Sequence, residues 1–255
     1  MRRVVFNQKG GVGKSTIACN LAAISAVEGI RTLVVDLDTQ GNSTHYLTGR
    51  DFIELDLNLG DFFEQTLSFS FHPHPATSFV HRTPFENLDI MPAHPDLATL
   101  ESRLESRHKI YKLREAFEEL DSYEAIYIDT PPALNFYTQS ALIAADSCLI
   151  PFDCDAFSRQ ALYTLLDSVQ EIKADHNRNL EIEGIIVNQY QSRASLPQRL
   201  VRELLEEGHP LLDATLSPSV KVRESHSHSK PMIHYLPRHK VTEEFRALFR
   251  RLNGA

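Results

Sequence analysis

The residues best equipped for chemistry lie close to the start of the chain. They read Lys9-Gly10-Gly11-Val12-Gly13-Lys14-Ser15-Thr16. Gly-Lys-Ser is the ending of a phosphate-binding loop, but the common pattern has glycine five residues before Gly13, where this chain has Gln8. A second lysine, Lys9, and a glycine pair stand there instead, which gives the deviant pattern K-G-G-x-G-K-[ST]. Glycines at these positions let the backbone turn so that its N–H groups face phosphate oxygens at a helix start. Lys14 is placed for the β- and γ-phosphates, the Ser15 hydroxyl for Mg²⁺, and Thr16 for the α-phosphate. One phosphate lysine already serves the loop. Lys9 therefore points outward, toward a nucleotide held by a second copy of the chain, or is a solvated charge beside the loop.

Two further carboxylate groups suit the same chemistry. Residues 32–36 form an apolar run ending in Asp36, with Asp38 two residues on. Residues 125–129 form another, ending in Asp129 and followed by Thr130-Pro131-Pro132. An apolar strand ending in aspartate, downstream of a phosphate loop, is the arrangement that holds a Mg²⁺-bound water. Asp38, Asp129 and Ser15 are thus the candidate metal residues.

The elements needed to hold these groups are legible in the hydrophobic pattern. Short apolar runs at residues 4–6, 32–36, 88–92, 125–129, 147–152 and 183–188 read as buried strands. Apolar residues at helical spacing separate several of them: Ile17, Leu21 and Ile24, then Leu97, Leu100 and Leu104, then Leu162 to Ile172. The expectation is one α/β domain over residues 1–255, a mostly parallel twisted sheet with helices on both faces. Residues 51–86 read as short helices and irregular loop; His72-Pro73-His74-Pro75 lacks partner ligands at metal spacing.

Composition narrows the classes. The net charge is −8, which argues against a generally basic nucleic-acid coat. The charge is uneven: residues 190–255 hold 11 basic and 7 acidic side chains, so a basic face can sit on an acidic body. Cys19, Cys148 and Cys154 show no zinc spacing, and a reducing cytoplasm is expected. No apolar stretch approaches the roughly 20 residues of a membrane span, and no apolar leader follows Arg2-Arg3.

At these motifs the chain resembles the ParA family of DNA-segregation ATPases, within the wider ParA/MinD group. The resemblance is carried by residues 8–16, by Asp36 to Asn42 (close to the family's D-x-D-P-Q-G-N), by Asp129 to Leu134, and by Val187-Asn188-Gln189-Tyr190. It implies a P-loop NTPase domain of the short form, without an N-terminal helix-turn-helix, that uses ATP and Mg²⁺. It further implies that Lys14 contacts phosphate in cis and Lys9 in trans across a homodimer. Asp38 would position the attacking water with Asp36 in support, and Asp129 would hold Mg²⁺ through water. Asn188 would read adenine, joined by Pro218. Arg193 and Lys221 fall near family positions for DNA contact, and Arg223, Arg246 and Arg250 extend that list. The implied function is ATP-switched binding to non-specific DNA, nucleoid-associated in the cytoplasm, with hydrolysis stimulated by a ParB-like or cargo-adaptor protein.

The chain departs from the family in three places. Thr39 replaces a proline, and the proline near adenine has moved by one to Pro218. A family S-E-A-P-S-H-G-K-P stretch becomes residues 223–231, where His226 and His228 read as part of a polar loop for want of a third ligand. A MinD-like membrane switch is suggested by the final helix, whose Val241, Phe245, Leu248, Phe249 and Leu252 stripe is flanked by Arg246, Arg250 and Arg251. A metallocluster ATPase needs paired cysteines that the three do not supply.

Overall fold

The structure is a computed structural model and describes residues 1–69, 71–154 and 158–254. Strands and helices alternate along most of the chain. They are β1 (Arg2–Val5), α1 (Lys14–Val27), β2 (Thr32–Asp36), α2 (Asn42–Thr48), α3 (Leu59–Leu67), β3 (His81–Arg82), β4 (Leu88–Met91), α4 (Leu97–Ser106), α5 (Lys112–Glu119), β5 (Ala125–Asp129), α6 (Phe136–Ala144), β6 (Ser147–Asp153), α7 (Ser158–Asp175), β7 (Glu181–Asn188), α8 (Ser195–Glu206), α9 (Val220–Ser227), α10 (Met232–Tyr235) and α11 (Lys240–Leu252).

The strands form one sheet in the order β3-β4-β2-β5-β1-β6-β7. All neighbours are parallel except β3, which pairs antiparallel with β4 at one edge. That short edge strand went unread in the sequence, because His81-Arg82 carries no apolar pattern.

The strands are apolar without alternation because both sheet faces are covered. Successive residues nonetheless part to opposite sides, as the period of two requires. Val4, Leu33, Val35, Ile126, Ile128 and Ile150 join one core, packed with α3 to α8. Val5, Val34, Tyr127, Leu149 and Ile186 join the other, packed with α1, α2, α10 and α11.

Two details bear on the sequence expectations. The short helices expected within residues 51–86 include α3, nine residues long and started by a reciprocal capping box between Asn58 and Asp61. Its Phe62 and Phe63 are buried in the first core. The stripe of α11 is also buried: Val241, Phe245, Leu248 and Phe249 belong to the second core. That face therefore offers no apolar surface to a lipid bilayer, and no helix of the described residues is long and apolar enough to cross a membrane.

Arg3 ties the far end of the chain to the sheet. It is 2% exposed and makes a bidentate pair with Glu183, with Nη2 to Oε1 at 2.7 Å. The same nitrogen donates to the Leu252 carbonyl at 2.8 Å, fastening the end of α11.

Candidate nucleotide site

The carboxyl ends of parallel strands open a crevice where ligands gather, and the singled-out residues converge there. The loop after β1 carries Lys9 to Thr16. Asp36 and Asp38 follow from β2, Asp129 ends β5, Asp153 ends β6 and Asn188 ends β7. Strand order makes this possible, since β1 lies between β5 and β6.

Gly13 is the N-cap of α1, with φ 87° and no side-chain cap. The first backbone donor used inside the helix is Ile17 N, which bonds the Gly13 carbonyl. The N–H groups of the first turn are left for a ligand, at the positive end of a 14-residue helix. The positive φ at position 13 favours glycine, and a side chain there would also displace Asn188. A Cβ there would stand 2.5 Å from Asn188 Nδ2, and that nitrogen donates to the Val12 carbonyl at 2.8 Å. Val12 itself is buried.

Lys14 is buried, and its ammonium donates to the Lys9 carbonyl at 3.3 Å. Burial holds its pKa below the usual lysine value, against the opposing pull of Asp129 and Asp38. A polyphosphate beside it would supply the missing negative charge. The Lys9 ammonium is partly exposed and lies 3.7 Å from Asp153 of its own chain.

The carboxylates differ in their surroundings. Asp36 is fully buried and is not among the residues that line the cavity. Its oxygens accept from Thr44 N at 2.8 Å, Thr44 Oγ1 at 2.7 Å and Asp38 N at 3.2 Å. It therefore fixes the segment that carries Asp38. Asp38 lines the cavity, accepts from Gln40 N at 3.0 Å, and takes the Gly41 N–H on its carbonyl.

Asp129 is fully buried. Ser43 Oγ donates to its Oδ2 at 2.7 Å. Its Oδ1 is the buried side-chain oxygen without a hydrogen-bond partner among the described residues. Burial raises the Asp129 carboxyl to about 6, moderated by the Ser15 and Ser43 hydroxyls. A buried carboxylate with one bare oxygen, near Ser15 and Lys14, fits a hydrated divalent cation.

Two adjoining cavities of about 350 Å³ each occupy the crevice. One is lined by the phosphate-loop residues with Asp38 and Pro132. The other runs beneath Asn188, Leu216, Pro218, Val222 and Phe245 and is more apolar in character, suited to a base. Pro218, although shifted in sequence, still lines it. Thr16 and His226 border both cavities.

His226 is the site residue that sequence reasoning missed. It lies on α9 rather than in a polar loop, and shares a 2.9 Å hydrogen bond with Thr16 Oγ1. Burial, with His45 nearby, lowers its pKa to about 4, so the ring is neutral at pH 7. The available signal was the residue pattern of α9, too short and too polar to read as a helix.

The five DNA candidates differ in their surroundings. Lys221 pairs with Glu224 at 2.7 Å and Arg246 with Glu243 at 2.6 Å. Arg193 and Arg250 are exposed. Arg223, expected on a DNA face, borders the base cavity. No cluster of three or more metal-binding side chains occurs among the described residues.

Comparison with known proteins decides the family. A model described as an AAA domain matches residues 3–182. The chromosome partitioning protein ParA of Myxococcus xanthus is 36% identical over 253 residues, covering 97% of this chain and 86% of that protein. The sporulation initiation inhibitor protein Soj of Bacillus subtilis is 33% identical, covering 94% and 93%. The chain belongs to the ParA/Soj family of P-loop partition ATPases.

Solved structures extend the likeness. A cobyrinic acid a,c-diamide synthase from Mycobacterium smegmatis, with bound ADP and magnesium, superposes with a TM-score of 0.79. It is 26% identical and the match covers 99% of this chain and 95% of that one. A Cyanothece McdA superposes with a TM-score of 0.86 at 19% identity, covering 98% of each chain, which is a likeness of fold. The ParA/Soj fold of this chain is thus a single mixed α/β domain of a kind shared with other P-loop ATPases.

Proposed function

We propose that this chain is an ATP-switched dimer that binds DNA without sequence preference in its ATP state, and so segregates or positions DNA or another cellular cargo. Its cofactors are ATP and Mg²⁺, used in the cytoplasm on the nucleoid. The observation that carries the reading is an uncapped α1 and the buried Lys14 at one cavity with Asp38 on its wall, with the bare Asp129 oxygen buried next to Ser15 and Lys14. Similarity to proteins named for chromosome partitioning supports the cellular role.

In this reading Lys14 and the first-turn N–H groups hold the β- and γ-phosphates. Ser15 and Asp129 would hold Mg²⁺, which supplies charge neutralisation when bound. Asn188 and Pro218 flank the base. Asp38 would accept a hydrogen bond from the attacking water and align it with the γ-phosphorus. The water oxygen would bond to that phosphorus as its bond to the bridging oxygen breaks, with the water's proton passing to the released phosphate, leaving ADP and phosphate. Turnover is slow until a ParB-like or cargo-adaptor partner completes the water's alignment.

Lys9 completes the partner's site. Its pair with Asp153 is a partly exposed contact, worth less than about 1 kcal/mol on its own, and a triphosphate across the interface presents a higher negative charge. Pairing two chains doubles the basic surface formed by residues 190–255. Arg193, Lys221, Arg246 and Arg250 are its candidates, since surface glutamate pairs yield readily to phosphate. Arg223 is set apart, because a change there also touches the base cavity.

DNA retention measured with ATP, ADP and no nucleotide across a salt series tests this. The expected result is tight, salt-sensitive binding with ATP alone. Equal binding in all three states contradicts it.

A further inference from the structure

His226 is held in place by more than its own helix. Its ring lies flat on Tyr46, with centroids 3.8 Å apart and planes inclined by 14°. Tyr46 is fully buried, and its hydroxyl bonds Ser225 Oγ at 2.8 Å and Asn20 Nδ2 at 3.3 Å. Asn20 in turn accepts from Met232 N at 2.7 Å. Residues of α1, α2, α9 and α10 therefore fix the plane of the imidazole at the mouth of the site, with the Nε2 edge left to face Thr16.

That edge faces a defined place. Nε2 meets Thr16 Oγ1, in the first turn of α1 and beside the donors that suit the β-phosphate. On one side lies the phosphate cavity, on the other the base cavity, and His226 and Thr16 border both. A nucleotide spanning the two must place its α-phosphate and ribose at this junction. The α-phosphate is the charged part, and the junction presents to it an imidazole nitrogen and a hydroxyl already within hydrogen-bond distance of each other.

We propose that His226 and Thr16 together form the α-phosphate seat of the nucleotide site, the imidazole exchanging its bond with Thr16 for one shared with a phosphate oxygen. The ring donates through Nε2–H, and Tyr46 keeps it from turning away. The seat serves ATP and ADP alike, so it sets nucleotide affinity without setting the hydrolysis step. This inference rests on nucleotide binding at the proposed site, but on neither dimerisation nor DNA contact.

Calorimetric titration with Mg·ADP tests it in the full chain. His226→Ala is expected to weaken ADP binding at least about tenfold, the loss of one hydrogen bond to a charged group. His226→Gln, which keeps a donor, is expected to recover part of that loss, and His228→Ala to change nothing. The ring nitrogens of His226 in the wild-type chain are expected to shift on ADP saturation in a nitrogen NMR spectrum, more than those of His228. Unchanged ADP affinity in a folded His226→Ala protein overturns the seat. So does an unmoved His226 signal in ADP-saturated wild type, which does not depend on any variant folding. Failure of the wild type to bind ADP overturns the nucleotide reading and the seat with it.

Discussion

Asp36 and Asp129 are register partners at the carboxyl ends of β2 and β5, both fully buried, yet only one keeps an oxygen free. Asp36 spends its acceptors on Thr44 and the Asp38 backbone. Asp129 leaves Oδ1 bare. Neighbouring carboxylates in one buried row thus serve different ends, one fixing the fold and the other awaiting a ligand. Replacing Asp36 by Ala strands the Thr44 N–H and should cost about 1–3 kcal/mol of stability, measured by urea unfolding. Asp129→Asn should leave stability unchanged or raised, because a costly buried charge goes, while the Mg²⁺ dependence of ATP affinity disappears. A loss of stability in Asp129→Asn with that dependence intact would contradict the assignment.

Arg3 anchors α11 through Glu183 and the Leu252 carbonyl. Burial opposes its charge, and the Glu183 pair more than offsets this and raises its pKa. Arg3→Ala leaves Glu183 without its partner and should destabilise the chain by about 3–5 kcal/mol. Arg3→Met with Glu183→Leu should recover most of that. Equal unfolding midpoints for wild type and Arg3→Ala would show the pair to be dispensable.

His226 gives stability a pH dependence of known sign. Its folded pKa of about 4 lies below the ordinary 6.5. Between those values the unfolded chain takes up a proton that the folded chain refuses, so this group's contribution falls as pH falls. From pH 7 to 4.5 the wild type should lose about 2–3 kcal/mol more stability than His226→Gln. The buried acids titrate in both proteins and cancel in the comparison. Parallel stability curves would mean that the ring is not buried in neutral form.

Much of this was legible in the sequence, for physical reasons that also explain the gaps. The six apolar strands and the loop from Lys9 to Thr16 could be read because buried parallel strands and glycine-rich phosphate loops leave local patterns. Short helices could be expected within residues 51–86, but the bounds of α3 could not be read although Asn58 and Asp61 spell its cap, because polar and proline-rich residues downstream mask the apolar pair Phe62 and Phe63. The position of His226 could not be read. It depends on α9 folding back against Thr16, a partner 210 residues away, and no local spacing encodes such a contact. The same holds for Asp36, whose role turns on Thr44 rather than on its place at the end of a strand. Arg223 looked like one surface cation among several until the fold set it beside the base cavity.

In the proposed dimer Lys9 leaves Asp153 and reaches a nucleotide held by a second chain. Sedimentation of Asp38→Ala protein, in which turnover is blocked, under saturating Mg·ATP is the sharpest test. A doubling of mass is expected that is lost when Lys9→Ala is added, with ATP still bound to the single chain. A single chain in the Asp38→Ala protein, or a dimer that survives Lys9→Ala, would contradict it.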